Sequence, residues 1–354
     1  MTHLAQLGYE VHLIAAQDIS FKEKNLPPMI SLHKWLLKPT NHNPFWEILS
    51  FFHLLKLLMR LNPHISFSYT VKANLYCAII GKIGGFKTCS VITGLGRIFT
   101  LRRPLYGRVK RFILWGWQLS TRVWVMNQFD YRYLRFIDPK LRLDQIPGEG
   151  VDTTYFTPSH KECEHQSIHF LFIGRLLKAK GLGELFQAVE NLWHKGYPLH
   201  LKIAGSYDLN DKDKINKEHL DRLVSQGVVE YCGYREDVRS LIQGSHCLVL
   251  PSYREGLPCV LLEANAMQCP VITTKVPGCQ DIVKEGINGF LCAPRCVDSL
   301  EKALQKFMDL SEKESKKMGI EGQKMIYQKF TLTHVQDFYR KVLHSLDETH
   351  GKRI

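Results

Sequence analysis

No stretch of this chain reaches the roughly 18 consecutive apolar residues of a membrane-crossing helix. The first residues also lack the basic start, apolar run and small-residue cleavage site of a signal peptide, so the expectation is a chain kept in the cytosol. Cysteine is too sparse for a disulfide scaffold. Ten in 354 residues stand singly, with no C-x-x-C pair, which removes zinc knuckles and redox dithiols and leaves reduced, mostly buried thiols. No D-x-D pair stands in a metal-holding context. The bias of collagenous, disordered or mucin-like chains is missing, with 45% hydrophobic and 23% charged residues. What remains is a folded globular protein, and at about 150 residues per domain its length makes about two domains.

The net charge of +13 is unevenly placed. Residues 1 to 150 carry 20 Lys+Arg against 8 Asp+Glu, and residues 151 to 354 carry 27 against 26, so the halves are +12 and +1. An anionic partner of the first half (a membrane surface, a nucleic acid or a phosphorylated substrate) accounts for this, as does a plain solubility surface.

From Ile168 onward, short β-branched or apolar runs alternate with helical stretches, the pattern of a doubly wound α/β domain. The expected strands are Ile168–Ile173, Leu199–Ala204, Val228–Cys232, Cys247–Leu250 and Pro270–Thr273. Each is followed at once by Gly, Pro-Ser or Thr-Lys, and in parallel sheets ligands bind outside such carboxyl ends. The first half is α/β but less regular, with strands expected at Val11–Ala15, His64–Ser68, Thr88–Ile92 and Arg122–Met126. Pro147, Gly148, Gly150 and Pro158 bracket a polar segment that marks the boundary. This gives domains 1–157 and 158–330, with a closing helix in 331–354 expected to pack back on the first. Thr2–Gly8 reads as the tail of a helix, so a first strand and glycine-rich loop are expected upstream, and the loss of a central strand would strand its neighbours' backbone groups.

Two apolar stretches need a decision. In Phe45–Leu61, Glu47, Ser50, His53, Lys56 and Arg60 recur every three or four residues, which predicts a core helix whose wet face carries them. Between Arg97 and Trp124, Arg97, Arg102, Arg103, Arg108, Lys110, Arg111 and Arg122 interleave with Phe99, Tyr106, Phe112, Trp115, Trp117 and Trp124. That mixture suits the headgroup layer of an anionic bilayer, or equally a helix with its aromatics in the core.

The chemistry-bearing signal joins two segments. In FLFIGRLLKAKG a strand ends at Gly174, followed by Arg175 and Lys180, a glycine for close approach beside two cations suited to a diphosphate. In PSYREGLPCVLLEANA, Glu255 and Glu263 are separated by seven residues. Pro258 is expected to open a helix, with Glu255 in the preceding loop and Glu263 in the second turn. The N–H groups of Gly256, Leu257 and Cys259 are then available to phosphate oxygens, and the carboxylates to sugar hydroxyls. A nucleotide-sugar site fits this set better than a hydrolase dyad.

The order G-R-x(4)-K-G followed by VEYCGYREDVRSLIQGSHCLVLPSYREGLPCVLLEANAMQCPVITTKVPGCQDIVKEGINGFL resembles the C-terminal domain of glycosyltransferase family 4, over residues 168 to 345. The resemblance implies the α/β GT-B fold, two Rossmann-like doubly wound domains facing across a cleft, and a retaining glycosyltransferase. It implies Arg175 and Lys180 on the donor diphosphate, Glu255 near the transferred sugar, Glu263 on the ribose, and Gly256, Leu257 and Pro258 against the donor. Gly174, Gly205 and Cys259 complete the donor side, and Glu255, Arg175 and Lys180 are the expected catalytic groups. SYTVKANLY and VITGLG resemble glycan-precursor transferases. Many family members carry a histidine where this chain has Thr93-Gly94-Leu95-Gly96. Thr93, Gly94 and Gly96 are therefore assigned only to the acceptor side of the cleft, with Lys72 and Asn74 as weaker acceptor candidates or plain loop and turn residues.

The resulting expectation is a metal-independent enzyme, without cofactor, taking an NDP-sugar (UDP-sugar favoured) to a polyprenyl-diphosphate-linked or nascent polysaccharide acceptor. It would sit peripherally on an anionic membrane surface through its basic first half, on the cytoplasmic face, with no nucleic acid bound. A nucleotide-sugar 2-epimerase of the same fold and a truncated, non-catalytic donor-binding module are the rival readings.

Overall fold

The computed structural model describes residues 1–16, 26–37, 43–96, 99, 104–158, 167–209 and 211–348. Arg97, Arg102 and Arg103 of the basic-aromatic stretch, and 159–166 of the expected boundary, lie outside the described residues. Two compact units are present. One comprises Met1–Ile92, Gly96–Trp124 and Arg135–Asp144, the other Thr93–Leu95, Val125–Leu134 and Gln145–Ile354.

The first unit opens with α1 (Thr2–Gln6), β1 (Val11–Ala16), β2 (Ile30–Trp35) and α2 (Pro44–Leu61). It continues with β3 (Ile65–Tyr69), α3 (Val71–Gly84), β4 (Lys87–Ile92), α4 (Pro104–Leu119), β5 (Arg122–Val125), α5 (Gln128–Ile137) and β6 (Leu143–Gln145), the last three elements running partly into the second unit. β1 and β2 pair in parallel as a two-stranded sheet, and β3-β4-β5-β6 form a second. Trp35 ties the pair to its helices: its ring packs with Leu54, Leu58, Cys77 and Ile80, and its indole N–H donates to the Ser50 carbonyl at 2.9 Å.

The second unit is more regular. After β7 (Ile168–Ile173) come α6 (Leu182–His194), β8 (Leu199–Ala204), α7 (Lys217–Ser225), β9 (Val229–Gly233), α8 (Arg239–Gln243) and β10 (Cys247–Leu250). Then follow α9 (Cys259–Ala266), β11 (Val271–Thr274), α10 (Cys279–Ile282), β12 (Gly289–Cys292), α11 (Val297–Met308), α12 (Glu312–Lys329) and α13 (Leu332–Glu348). The strands run β9-β8-β7-β10-β11-β12, all pairings parallel, which in order of appearance is 3-2-1-4-5-6, the Rossmann arrangement. Every residue of β10 and β11 is buried, as strands covered by helices on both faces must be.

The five strands expected after Ile168 are all present. Val229–Gly233 and Val271–Thr274 each start one residue later than expected. β2, β6 and β12 were not expected. β12 reads GFLC, too short and glycine-led to stand out, and its place is set by pairing with β11. The closing helix is α13, anchored where Leu332 N–H donates to the Val151 carbonyl at 2.9 Å.

A buried amide network holds α9 against this scaffold. Asn288 Nδ2 donates to Asn265 Oδ1 and to the Ile282 carbonyl, both at 3.0 Å, and Asn265 Nδ2 donates to the Leu261 carbonyl at 2.7 Å. Both side chains are completely buried, so removing one leaves polar atoms without water. Asn288→Ala is expected to lower unfolding stability by about 1–3 kcal/mol in urea denaturation, with Asn265→Leu acting in the same direction.

Candidate active site at the switch point of the second sheet

In a 3-2-1-4-5-6 sheet, the first and fourth strands lead into helices on opposite faces, and a crevice opens at their carboxyl ends. Here those strands are β7 and β10. Gly174 and Arg175 follow β7, and the loop Pro251–Pro258 follows β10, so both sequence motifs arrive at one point.

The turn carrying Lys180 is a single 3-10 turn, Lys178–Lys180, that ends on Gly181 at φ 72°. A Cβ on Gly181 would lie 2.0 Å from the Pro251 carbonyl oxygen, so only glycine lets this turn meet the β10 loop. The Asp213 carboxylate accepts from Ala179 N–H at 3.0 Å, and Tyr253 N–H donates to the Ala179 carbonyl at 2.9 Å. Asp213 belongs to the stretch Asp211-Lys212-Asp213, and its carboxylate thereby braces the turn.

Lys180 Nζ donates to Glu255 Oε1 at 2.6 Å, with both side chains largely buried. The two groups expected on opposite parts of a donor form an ion pair with each other, which holds both in place without water. Arg175 is exposed and has no ion-pair partner among the described residues.

Pro258 is the N-cap of α9 rather than its first residue, a one-residue correction. Proline's fixed φ, here −75°, sets the chain's entry angle at either position. Glu263 falls in the second turn, as expected. Burial pushes its carboxyl up to about 6. On the first turn, burial and the Glu149 carboxylate beside it raise the Cys259 thiol to about 12, so this cysteine is a neutral packing group. The nine described cysteines are all free thiols, six of them buried, as expected.

Gly256 is locked from three sides within the same unit. A Cβ there would meet the Thr93 carbonyl oxygen at 1.5 Å, and its own carbonyl accepts from Asn127 Nδ2 at 3.0 Å. From the third side, a Cβ on Gly278 would sit 2.1 Å from that same carbonyl oxygen. Thr93 and Gly94 are thus backbone neighbours of the loop, and Gly96 is exposed nearby in sequence. Gly205 has a comparable role at the end of β8, where a Cβ would strike the Gly174 carbonyl oxygen at 1.8 Å. Leu257 is buried, with its side chain against Gly148.

Asn127 and Asp130 were missed by sequence reasoning. Asp130 is 1% exposed; its Oδ2 accepts from Leu95 N–H at 3.1 Å and from Asn127 Nδ2 at 3.0 Å, while Asn127 Oδ1 accepts from Asp130 N–H at 2.8 Å. Arg254 stands 4.0 Å away. An N-cap asparagine bonding the N–H three residues on is a readable signal, but it announces a helix start, and its reach to Gly256 lies 129 residues away in sequence.

Lys72 and Asn74 take structural places in the first unit. Lys72 Nζ pairs with Glu47 at 2.6 Å, and Asn74 is buried, donating to the Val91 carbonyl at 3.1 Å. Asn74 thereby braces β4.

Residues 158–325 match the protein family described as glycosyl transferases group 1. The second unit carries a group 1 glycosyltransferase domain. Over most of its length the chain is similar to the capsular polysaccharide biosynthesis glycosyltransferase CapM of Staphylococcus aureus, at 25% identity over 87% of this chain and 84% of the relative. It is similar at 23% identity, over 85% and 82%, to the N,N'-diacetylbacillosaminyl-diphospho-undecaprenol alpha-1,3-N-acetylgalactosaminyltransferase of Campylobacter jejuni. A third relative is the UDP-Gal:alpha-D-GlcNAc-diphosphoundecaprenol alpha-1,3-galactosyltransferase of Escherichia coli, at 24% identity over 74% and 71%. Among solved structures, the sucrose-phosphate synthase of Thermosynechococcus elongatus superposes with a TM-score of 0.81 at 17% identity, over 97% of this chain and 91% of that one. HepE of Anabaena, solved in complex with UDP, gives 0.74 at 17% identity, over 90% and 87%. The fold is GT-B, built from two Rossmann-like α/β units, and the group 1 domain marks a glycosyltransferase. No group of three or more His, Cys, Asp or Glu among the described residues is arranged to hold a metal ion.

The Glu263 carboxyl gives a pH test. Its raised value means that between about pH 4.5 and 6 the native state holds a proton that the unfolded chain has released, so this group's contribution to stability is largest below about 4.5 and is lost as pH rises through 6. Glu263→Gln is expected to remove about 1 kcal/mol of that decline, read as a smaller loss in urea midpoint between pH 4.5 and 7.

Proposed function

We propose that this chain is a retaining, metal-independent glycosyltransferase of family 4, moving a sugar from a nucleotide-diphosphate donor, with UDP-sugar favoured, to a polyprenyl-diphosphate-linked or nascent surface glycan. The observation that carries the reading is the Lys180–Glu255 pair at the β7/β10 switch point. A carboxylate suited to sugar hydroxyls and an ammonium suited to phosphate are held side by side, as a group spanning the glycosyl–phosphate bond requires.

Catalysis on this reading is charge stabilisation. As the bond from sugar to diphosphate breaks, negative charge grows on the leaving oxygen. Lys180, the exposed Arg175 and the N–H groups at the start of α9 are positioned to meet it, which does the work a bound cation does elsewhere. Glu255, drawn off Lys180 by the arriving diphosphate, turns to the sugar. Glu263 accepts from the ribose hydroxyls, best when ionised, so donor affinity rises with pH through about 6.

The names of the relatives support the acceptor class: two of them act on diphospho-undecaprenol-linked sugars, and one belongs to capsule synthesis. UDP in the HepE structure and UDP-Gal in the Escherichia coli relative support the donor base. The basic first half favours peripheral attachment to an anionic membrane, on its cytoplasmic face. No helix among the described residues is long and apolar enough to cross a membrane.

Transfer from UDP-sugars to a membrane-lipid extract tests the reading. Glu255→Ala and Lys180→Ala are expected to reduce turnover by roughly a hundredfold or more, while Asn127→Ala, which releases the Gly256 loop together with the Asp130 contact and the α5 cap, reduces it by roughly tenfold. Isomerised sugar nucleotide without an acceptor would establish the epimerase instead. UDP binding with no turnover would leave a donor-binding module.

A further inference from the structure

The carboxylate of Asp130 is only half used. Its Oδ2 takes the two donors at the start of α5, Leu95 N–H and Asn127 Nδ2, while its Oδ1 is buried and has no hydrogen-bond partner among the described residues. A buried carboxylate oxygen without a donor is costly and calls for a use. The cation facing it is Arg254, whose Nη2 stands 4.0 Å from Oδ1, too far for a hydrogen bond and close enough for an ion pair. Burial lowers the hold of the Arg254 guanidinium on its proton, and the Asp130 carboxylate works the other way.

The turn that carries Asp130 is fixed without Oδ1. Gln128 N–H donates to the Asp281 carboxylate of α10 at 3.1 Å, and Asn127 Nδ2 reaches the Gly256 carbonyl at 3.0 Å. Capping α5 therefore leaves that oxygen without a task. Arg254 and Glu255 are consecutive, and their side chains have different partners, Asp130 for one and Lys180 for the other. When a diphosphate takes Lys180, Glu255 loses the partner that holds it. Asn127 still anchors the loop at Gly256, after the acid; a second anchor at Arg254, before it, would leave only the side chain of Glu255 to be oriented.

We propose that Asp130 is a positioning residue for Glu255: as a nucleoside diphosphate engages Lys180, the Arg254 guanidinium closes onto Asp130 Oδ1, and the loop is clamped on both sides of the acid. The part played by Glu255 rests on the function proposed above, whereas the closure rests on the geometry of the Asp130 and Arg254 pair. A charge-assisted hydrogen bond gained only in the bound state adds to donor affinity as well as to turnover, and both are measurable.

Asp130→Asn separates this role from a structural one, because an asparagine keeps an oxygen for Leu95 and Asn127 while turning an amide N–H group toward Arg254. The experiment is titration of the full chain with UDP and with GDP, beside kcat for sugar transfer, for wild type, Asp130→Asn, Arg254→Ala, Arg254→Lys and the double variant Asp130→Asn/Arg254→Ala. Urea midpoints confirm that each is folded. Asp130→Asn and Arg254→Ala are each expected to weaken nucleotide binding roughly threefold to tenfold and to lower kcat by about tenfold, with the double variant no worse than the poorer single one. Arg254→Lys, which keeps the charge, regains part of both. Additive losses in the double variant overturn the proposal, as does a loss confined to the Arg254 variants, which would mean that the guanidinium meets phosphate directly. Non-additive losses of nucleotide affinity in a wild type that transfers no sugar support the clamp and overturn the functional reading alone; a wild type that binds neither nucleotide overturns both.

Discussion

Parallel strand pairing is the constraint on which the second unit depends. Six strands that all point one way bring all their carboxyl ends to one edge, and their backbone bonds are satisfied only while helices cover both faces. The apolar interiors of β7, β8, β10 and β11 meet that requirement, which leaves chemistry only the edge itself. The order 3-2-1-4-5-6 then selects one point along it. Motifs about eighty residues apart in sequence end in contact there because β7 and β10 are neighbours in the sheet.

Close backbone approach refines what pairing begins. The Lys180 turn touches Pro251 because residue 181 has no side chain, and the Glu255 loop sits under Thr93 because residue 256 has none. The ion pair between Lys180 and Glu255 therefore joins two backbone segments already braced, one by Asp213 and the other by Asn127. A pair held this way loses little on reorientation, since the side chains alone must move when a phosphate competes for the ammonium.

Legibility in the sequence followed burial. Mostly apolar or alternating runs that end at glycine or proline place β7, β8 and β10 to the residue, and the E-x(7)-E segment located its own helix to within one position. β12 and β6 are short edge strands with no such run, and only their neighbours define them. Asn127 and Asp130 were invisible for another reason. Their local role, capping α5, fully explains their presence, and nothing in a linear pattern marks the second bond to Gly256. Asn74 lies beside a candidate loop in sequence, and its amide turns inward to β4.

α2 is the clearest case of a pattern that periodicity cannot orient: Ser50 is buried and Glu47 pairs with α3, while Lys56 and Arg60 are exposed as expected. Apolar residues fill most of its circumference, so the recurrence of Glu47, Ser50, Lys56 and Arg60 shows how the helix is divided but not which part is covered. Partners decide that. Lys72 and Tyr76 on α3 give Glu47 an ion pair and a hydroxyl, which hold the acid toward α3, and the Trp35 indole N–H donates to the Ser50 backbone carbonyl, which fixes that stretch of α2 against β2. Burial and bonding then raise the Tyr76 hydroxyl above its ordinary range, so the contact persists at any physiological pH. With its single acid paired to Lys72 and Tyr76, the helix presents apolar groups and bases to the outside. The excess of bases on this helix and its neighbours is thereby kept to the unit that does not carry the Lys180–Glu255 pair.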